Sequence, residues 1–119
     1  MNITVDIVPE TQLTATQRTH LKVARQVARG VPTYPARMHN SAIIIGGYKL
    51  SSGPIYIAPQ RLHKLSTTMN TTIHELAHHV SQSGDNTRAH NEAIKKLSAE
   101  IAEKAKKGEY DKYLNGAVW

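Results

Sequence analysis

The stretch Thr72-Ile73-His74-Glu75-Leu76-Ala77-His78-His79 decides how this chain is read. Within it, His74 to His78 spell H-E-x-x-H. Four residues apart on a helix, two imidazoles lie one turn apart on the same side and can reach one cation together. Glu75 projects roughly 100° round from His74, where it can stand beside that cation and hold its water. With the histidine and glutamate content of this chain, an accidental match has a chance on the order of 2%, so the surroundings have to carry the rest. Helical periodicity runs from about Met69 to Gln82, with Asn70 or Thr71 as cap and Gly84 as stop. At ~100° per residue, Met69, Ile73, Leu76, Ala77 and Val80 form one apolar face. His74 and His78 fall nearly opposite it, so neither reads as a core histidine.

A catalytic zinc takes three protein ligands and keeps a fourth position open. Downstream of the motif stand Asp85, His90 and Glu92. A further helix is expected from about Asn86 to Lys107, with Gly108 at its C-terminal cap and Lys104, Lys106 and Lys107 on its negative dipole end. On it His90 shares a stripe with Ile94, Leu97 and Ile101, which turns it toward the body of the protein. Glu92 lies roughly 200° away, on the side of Lys96 and Glu103, and is expected in solvent. Asp85 falls in the turn between the helices, where spacing does not fix its reach. The expected ligands are therefore His74, His78 and His90, with Glu75 as general base for peptide hydrolysis. Tyr34, His39, Tyr48, His63 and His79 are available as a second oxyanion stabiliser. His79 itself is turned ~140° from His74 and is not expected to ligate. A metzincin would place glycine at 81 and histidine at 84, where Ser81 and Gly84 stand. No nucleophile elbow and no phosphate-cradling glycine loop is present.

Upstream, Ile3, Val5 and Ile7 alternate with polar residues as a short strand that stops at Pro9. From Ala15 to about Arg29 the pattern is helical, with Leu21, Ala24, Val27, Ala28 and Val31 on one side. Arg18, Lys22, Arg25 and Arg29 stripe the other. Val31 to Asn40, punctuated by Pro32 and Pro35, reads as a loop. The apolar runs Ala42–Ile45 and Ile55–Ala58, separated by glycines, read as an antiparallel pair that Tyr48 and Leu50 extend. Pro54 and Pro59 bracket the second run as an edge strand. An extended peptide substrate is expected to add there, along Ile55, Tyr56 and Ile57. Tyr110, Tyr113 and Trp119 form an aromatic tail expected to pack back on the body. The order strand, helix, hairpin, helix, helix is α+β, in one domain over residues 1–119.

The 119 residues are one domain's worth, 39% hydrophobic and 20% charged, which excludes a disordered chain. The absence of cysteine excludes a disulfide scaffold, a thiol nucleophile and any cysteine-ligated metal. No apolar run approaches the roughly 18 residues of a membrane helix, and no secretory signal opens the chain. The formal charge is +6. From Thr11 to His74 there is no acidic residue, against Arg18, Lys22, Arg25, Arg29, Arg37, Lys49, Arg61 and Lys64. Such a stretch points to an anionic partner, DNA or another nucleic acid first. A basic nucleic-acid-binding module with a structural metal is the alternative to an enzyme, and a non-catalytic interaction module or inhibitor the third reading.

From about Ala15 to Ile101 the chain resembles the SprT-like zincin metallopeptidases, the group that includes Spartan-type proteases acting on DNA–protein crosslinks. The likeness rests on an N-terminal helix, the segment Gly53-Pro54-Ile55-Tyr56-Ile57, the stretch Thr72 to His79, and a later histidine opening a helix. It implies a zincin-like fold, one catalytic zinc on His74, His78 and His90, and Glu75 as base. The family's His-Gly-x-x-aromatic stands here as His90-Asn91-Glu92-Ala93-Ile94, and its cysteine-based zinc ribbon has no counterpart. A small solitary domain of this kind looks like a bacterial or phage-encoded relative, which implies a cytoplasmic setting.

Overall fold

A computed structural model of the chain describes residues 3–39, 46–49 and 53–119. In them four strands, β1 (Thr4–Ile7), β2 (Thr33–His39), β3 (Gly47–Lys49) and β4 (Ile55–Ile57), combine with three helices. The helices are α1 (Ala15–Val27), α2 (Leu65–Ser81) and α3 (Arg88–Lys106), and the fold is α+β. The sheet order is β1-β2-β4-β3, with β2 and β4 parallel and the other two pairs antiparallel. The expected arm Ala42–Ile45 and its extension at Leu50 lie outside the described residues. No helix among the described residues is long and apolar enough to cross a membrane.

Local chemistry sets α1. Thr14 accepts from the Gln17 backbone N–H while the Gln17 side chain accepts from the Thr14 N–H, a reciprocal cap on the first turn. Leu21, Ala24 and Ala28 then pack against Ile55, Ile57, Leu62 and Leu76 to form the core. Ile55 and Ile57 are fully buried, each worth about 1.5–3 kcal/mol relative to exposure.

Two expectations about strands are corrected. The segment read as a loop from Val31 to Asn40 contains β2, the longest strand. Pro35 is tolerated because it sits where β2 changes partner. Thr33, Tyr34 and Pro35 pair with β4, whereas Ala36 to His39 pair with β1. The Pro35 carbonyl still accepts from Val8 N–H at 2.9 Å. Second, β4 is not an edge strand, since β2 and β3 pair with its two sides. Pro54 and Pro59 lie just beyond its ends and remove no ladder hydrogen bond.

α2 begins a turn earlier than its apolar pattern indicates, at Leu65, with no side-chain cap from Lys64. The tail supplies the missing acceptors. Leu65 N–H donates to the Val118 carbonyl at 2.6 Å and Ser66 Oγ to the Trp119 carbonyl at 2.7 Å. His20, fully buried, fastens this contact: Nδ1–H donates to the Leu62 carbonyl at 2.6 Å and Nε2 accepts from Val118 N–H at 2.9 Å. Tyr110 is buried and Tyr113 half-buried as expected, but Trp119 is 71% exposed. The tail docks there through its main chain, not its last aromatic. At the other end α2 stops on Gln82, left-handed at φ 53°, rather than on Gly84.

Candidate metal centre

One end of α2 and the first turn of α3 carry the expected cluster. His74 and His78 sit one turn apart, with ring centroids 4.9 Å apart and edge-on. Thr87 caps α3 by accepting from His90 N–H, which fixes where the His90 ring enters. That ring lies 4.7 Å from His74 and stacks on His78 at 4.0 Å. His90 is 1% exposed and walls the cluster from beneath, while His74 and His78 are part-exposed. Asp85, on the exposed turn between the helices, joins them. One ligand atom from each of His74, His78, Asp85 and His90 lies within 4.8 Å of the others. Spacing along the chain left Asp85 open; only the turn's conformation brings it in.

The protons of this cluster can be assigned from its acceptors. A carbonyl oxygen only accepts, so His78 Nδ1, 2.8 Å from the Ser83 carbonyl, carries a proton. His90 Nε2, 3.0 Å from the His74 carbonyl, carries one as well. Each neutral ring then has one lone pair left, at His78 Nε2 and His90 Nδ1. Yet His78 Nε2 lies 2.7 Å from Asp85 Oδ1, and His74 Nε2 lies 2.9 Å from the same oxygen. His78 is thus flanked by acceptors on both nitrogens. Either the ring holds two protons, or a cation stands where the second would be. Backbone carbonyls that orient imidazoles from behind are the usual outer shell of a metal site, and three imidazoles with one carboxylate suit zinc.

Electrostatics agree with that donor set. Burial, reinforced by the neighbouring rings of His78 and His90 and opposed by Asp85, lowers the His74 pKa and favours the ligating neutral ring. At Asp85 burial opposes ionisation, but His74 and His78 outweigh it and hold the carboxyl below its ordinary value. Glu75 is 7% exposed, and burial pushes it up to about 7. His78 and Lys49 pull that value down, whereas Asp85 pushes it up. A carboxyl poised near neutrality is suited to proton transfer.

β3 closes over Glu75. A Cβ on Gly47 would fall 2.5 Å from Thr71 Cγ2 and 3.2 Å from both Cγ and Oε2 of Glu75. Only a glycine lets the strand approach this closely. Strand alternation puts Lys49 on the same face as Gly47. Burial lowers the Lys49 pKa and the Glu75 charge raises it. Neither Gly47 nor Lys49 was singled out by the motif; the glycine pair at 46 and 47 reads as a turn.

The remaining sequence-predicted residues separate. Glu92 is exposed and bonded to Arg88, and His79 does not join the cluster. Tyr34 leans on Tyr56 across the β2–β4 pair and His39 bonds Asp6 across β1–β2, so both are engaged elsewhere. Ile55, Tyr56 and Ile57 lie in the sheet interior, flanked by β2 and β3; among the described residues the last strand at that end of the sheet, beside Glu75, is β3. Of the expected stripe of cations, Arg18 and Lys22 are exposed on α1, whereas Arg29 is exposed but falls beyond the helix, which ends at Val27. Arg25 is taken up, forked onto Glu10 at 3.0 and 3.2 Å and donating to the Thr33 carbonyl. Glu10 stands one residue before the acid-free stretch and folds back on it. No family model, curated protein or solved structure matches the chain.

Proposed function

We propose that the protein is a zinc-dependent peptidase with a zincin-like arrangement, in which His74, His78 and His90 hold the ion and Glu75 moves the proton. The observation that carries this reading is the grouping of three imidazoles from two helices, beside the buried carboxyl of Glu75. A bound zinc supplies Lewis acidity, polarising a peptide carbonyl and making a water acidic enough to attack it. Glu75 takes the water's proton as the new C–O bond forms, and hands it to the amide nitrogen as the C–N bond breaks. Gly47 leaves Glu75 the room to do this, and Lys49 offsets its charge. The substrate adds in extended form to the outer edge of β3, in place of the β4 edge anticipated from the prolines.

That mode of binding favours flexible polypeptide over compact domains. Against an unfolded, labelled casein, Glu75→Gln is expected to lower kcat by about 10²–10⁴ while zinc content stays at wild-type level. Equal cleavage by wild type and variant, or none by the zinc-loaded wild type, overturns the reading. Equal cleavage of loose and compact substrates removes the β3 docking mode alone.

A second reading, a basic nucleic-acid-binding module with a structural metal, is supported by Arg18 and Lys22 exposed on α1 and Arg29 exposed just past its end. Its measurement is DNA affinity against salt, which falls steeply where several phosphates are contacted. Both properties can coexist in one chain.

A further inference from the structure

We infer that Asp85 is a fourth protein ligand of the same centre, which it closes in a latent form, and that the Gln82–Thr87 turn is the element that opens it. The inference rests on the metal site proposed above and concerns how that site is regulated.

The alternative, an aspartate that merely hydrogen-bonds two metal-binding histidines from outside, conflicts with the acceptor pattern. His78 has one proton to give as a neutral ring, and the Ser83 carbonyl takes it at Nδ1. An ion at Nε2 leaves no proton there for Asp85, whose Oδ1 is 2.7 Å from that nitrogen. The oxygen then faces the ion itself. His74 Nε2 lies 2.9 Å from the same oxygen, and if that ring also ligates through Nε2 it has no proton there to give. Zinc bonds of 2.0–2.1 Å set tetrahedral ligands ~3.3 Å apart, so an ion would push Asp85 Oδ1 slightly away from His74 and His78 and draw in the rest of a cluster whose ligand atoms lie within 4.8 Å of one another. Three imidazoles and one carboxylate complete a four-coordinate zinc and leave no position for water. Hydrolysis requires that the carboxylate step aside.

The turn is built for such a step. The Asp85 side chain is 64% exposed, so its release returns a charge to water rather than burying it. Left-handed, non-glycine residues bracket it, Gln82 at φ 53° and Asn86 at φ 61°, and mark a backbone held in a sparsely populated conformation. The same turn also bonds His78 and the backbone of His90. Ser83 orients His78 from behind. Thr87 bonds the Gly84 carbonyl and caps the His90 N–H, tying the turn to the buried ligand. Asp85 can therefore leave while the Ser83 carbonyl still holds the His78 ring and Thr87 the first turn that carries His90.

The test is metal binding by the purified chain, which needs no turnover. Zinc affinity is measured by chelator competition, and coordination by the visible spectrum of the cobalt-substituted protein with and without acetohydroxamate. Wild type is expected to give a four-coordinate cobalt spectrum that resists the hydroxamate. Asp85→Ala is expected to lose roughly tenfold or more in zinc affinity and to take up the hydroxamate with a spectral change. Asp85→Asn should fall between them, and circular dichroism verifies that each variant is folded. Unchanged affinity and spectrum in Asp85→Ala, or a wild type that admits the hydroxamate as readily, overturns the inference and leaves the peptidase reading standing. The Asp85 effects without any casein cleavage leave the inference standing and remove the peptidase. A wild type that binds neither metal removes both.

Discussion

His20 and His78 each sit in α-helix with both ring nitrogens close to a polar partner, but the partners differ in kind. His20 meets one acceptor, the Leu62 carbonyl, and one donor, the Val118 N–H. A neutral imidazole, with one N–H and one lone pair, satisfies both. His78 meets two acceptors, the Ser83 carbonyl and the Asp85 carboxylate. No neutral imidazole satisfies those. The first histidine is complete and fastens the tail to the core; the second is one positive charge short. A partner's donor or acceptor character thus separates His20 from the proposed ligand His78, and burial alone would not serve, since His90 in the same cluster is as buried as His20.

The largest effect that would break this contrast is on metal binding. His78→Ala or His90→Ala is expected to lower zinc affinity by more than the roughly 10–100-fold typical of losing an outer-shell partner. Saturating zinc should stabilise wild type by about 2.7 kcal/mol at a hundred times Kd, and should not stabilise either variant. His20→Ala should do the reverse. It leaves the buried Leu62 carbonyl and the Val118 N–H without their partner and a cavity behind, at about 2–4 kcal/mol, with zinc stoichiometry unchanged. Urea unfolding with and without zinc reads all three variants. Zinc loss in His20→Ala with zinc retained in His78→Ala would invert the assignment.

What the sequence made legible follows the range of the interactions. The H-E-x-x-H helix and the inward stripe of His90 are periodic and local, and both were readable, as was α1 with its apolar face. Asp85 was not, because its position depends on two left-handed residues that no motif requires, Gln82 and Asn86. His20 gave no signal at all, since its partners are backbone atoms 42 and 98 residues away. Proline misled twice for one reason. It shows where a ladder hydrogen bond is absent, not whether one was needed, so Pro35 obscured a strand and Pro54 and Pro59 made an interior strand look like an edge. Gly47 carried a turn signal that concealed a packing requirement.

A smaller effect sharpens the contrast from the β3 side, because that strand leans on the metal end of α2. Gly47→Ala puts a methyl 2.5 Å from Thr71 Cγ2 and against Glu75. Overpacking of this kind costs about 1–3 kcal/mol, and on the proposed peptidase reading it should lower kcat by displacing Glu75 while zinc is retained. Thr71→Ser removes the clashing Cγ2, so the double variant should recover much of both losses. Recovery of stability without recovery of kcat would mean that β3 affects Glu75 by a route other than this contact.

The smallest effect supplies an ion pair that lacks the defect of His78 and Asp85. Arg25 and Glu10 meet at 3.0 Å as donor and acceptor and need no metal. The Arg25 hydrogen bond and charge lower the Glu10 pKa, with burial opposing and Lys22 assisting. A carboxyl with a lowered folded-state pKa stabilises the fold above its unfolded value, and that stabilisation disappears as pH falls through the folded value. The pair's contribution should therefore be intact at neutral pH and be lost below about 4.3, the ordinary glutamate value. Exposure limits it to about 0–1 kcal/mol. Glu10→Gln is expected to lower urea stability by no more than that at pH 7, to match wild type in strong acid, and to leave zinc affinity unaltered. A change in zinc affinity on Glu10→Gln would mean that the α1 surface and the metal end of α2 are coupled, and His20, which anchors the intervening core, would be where to look for the link.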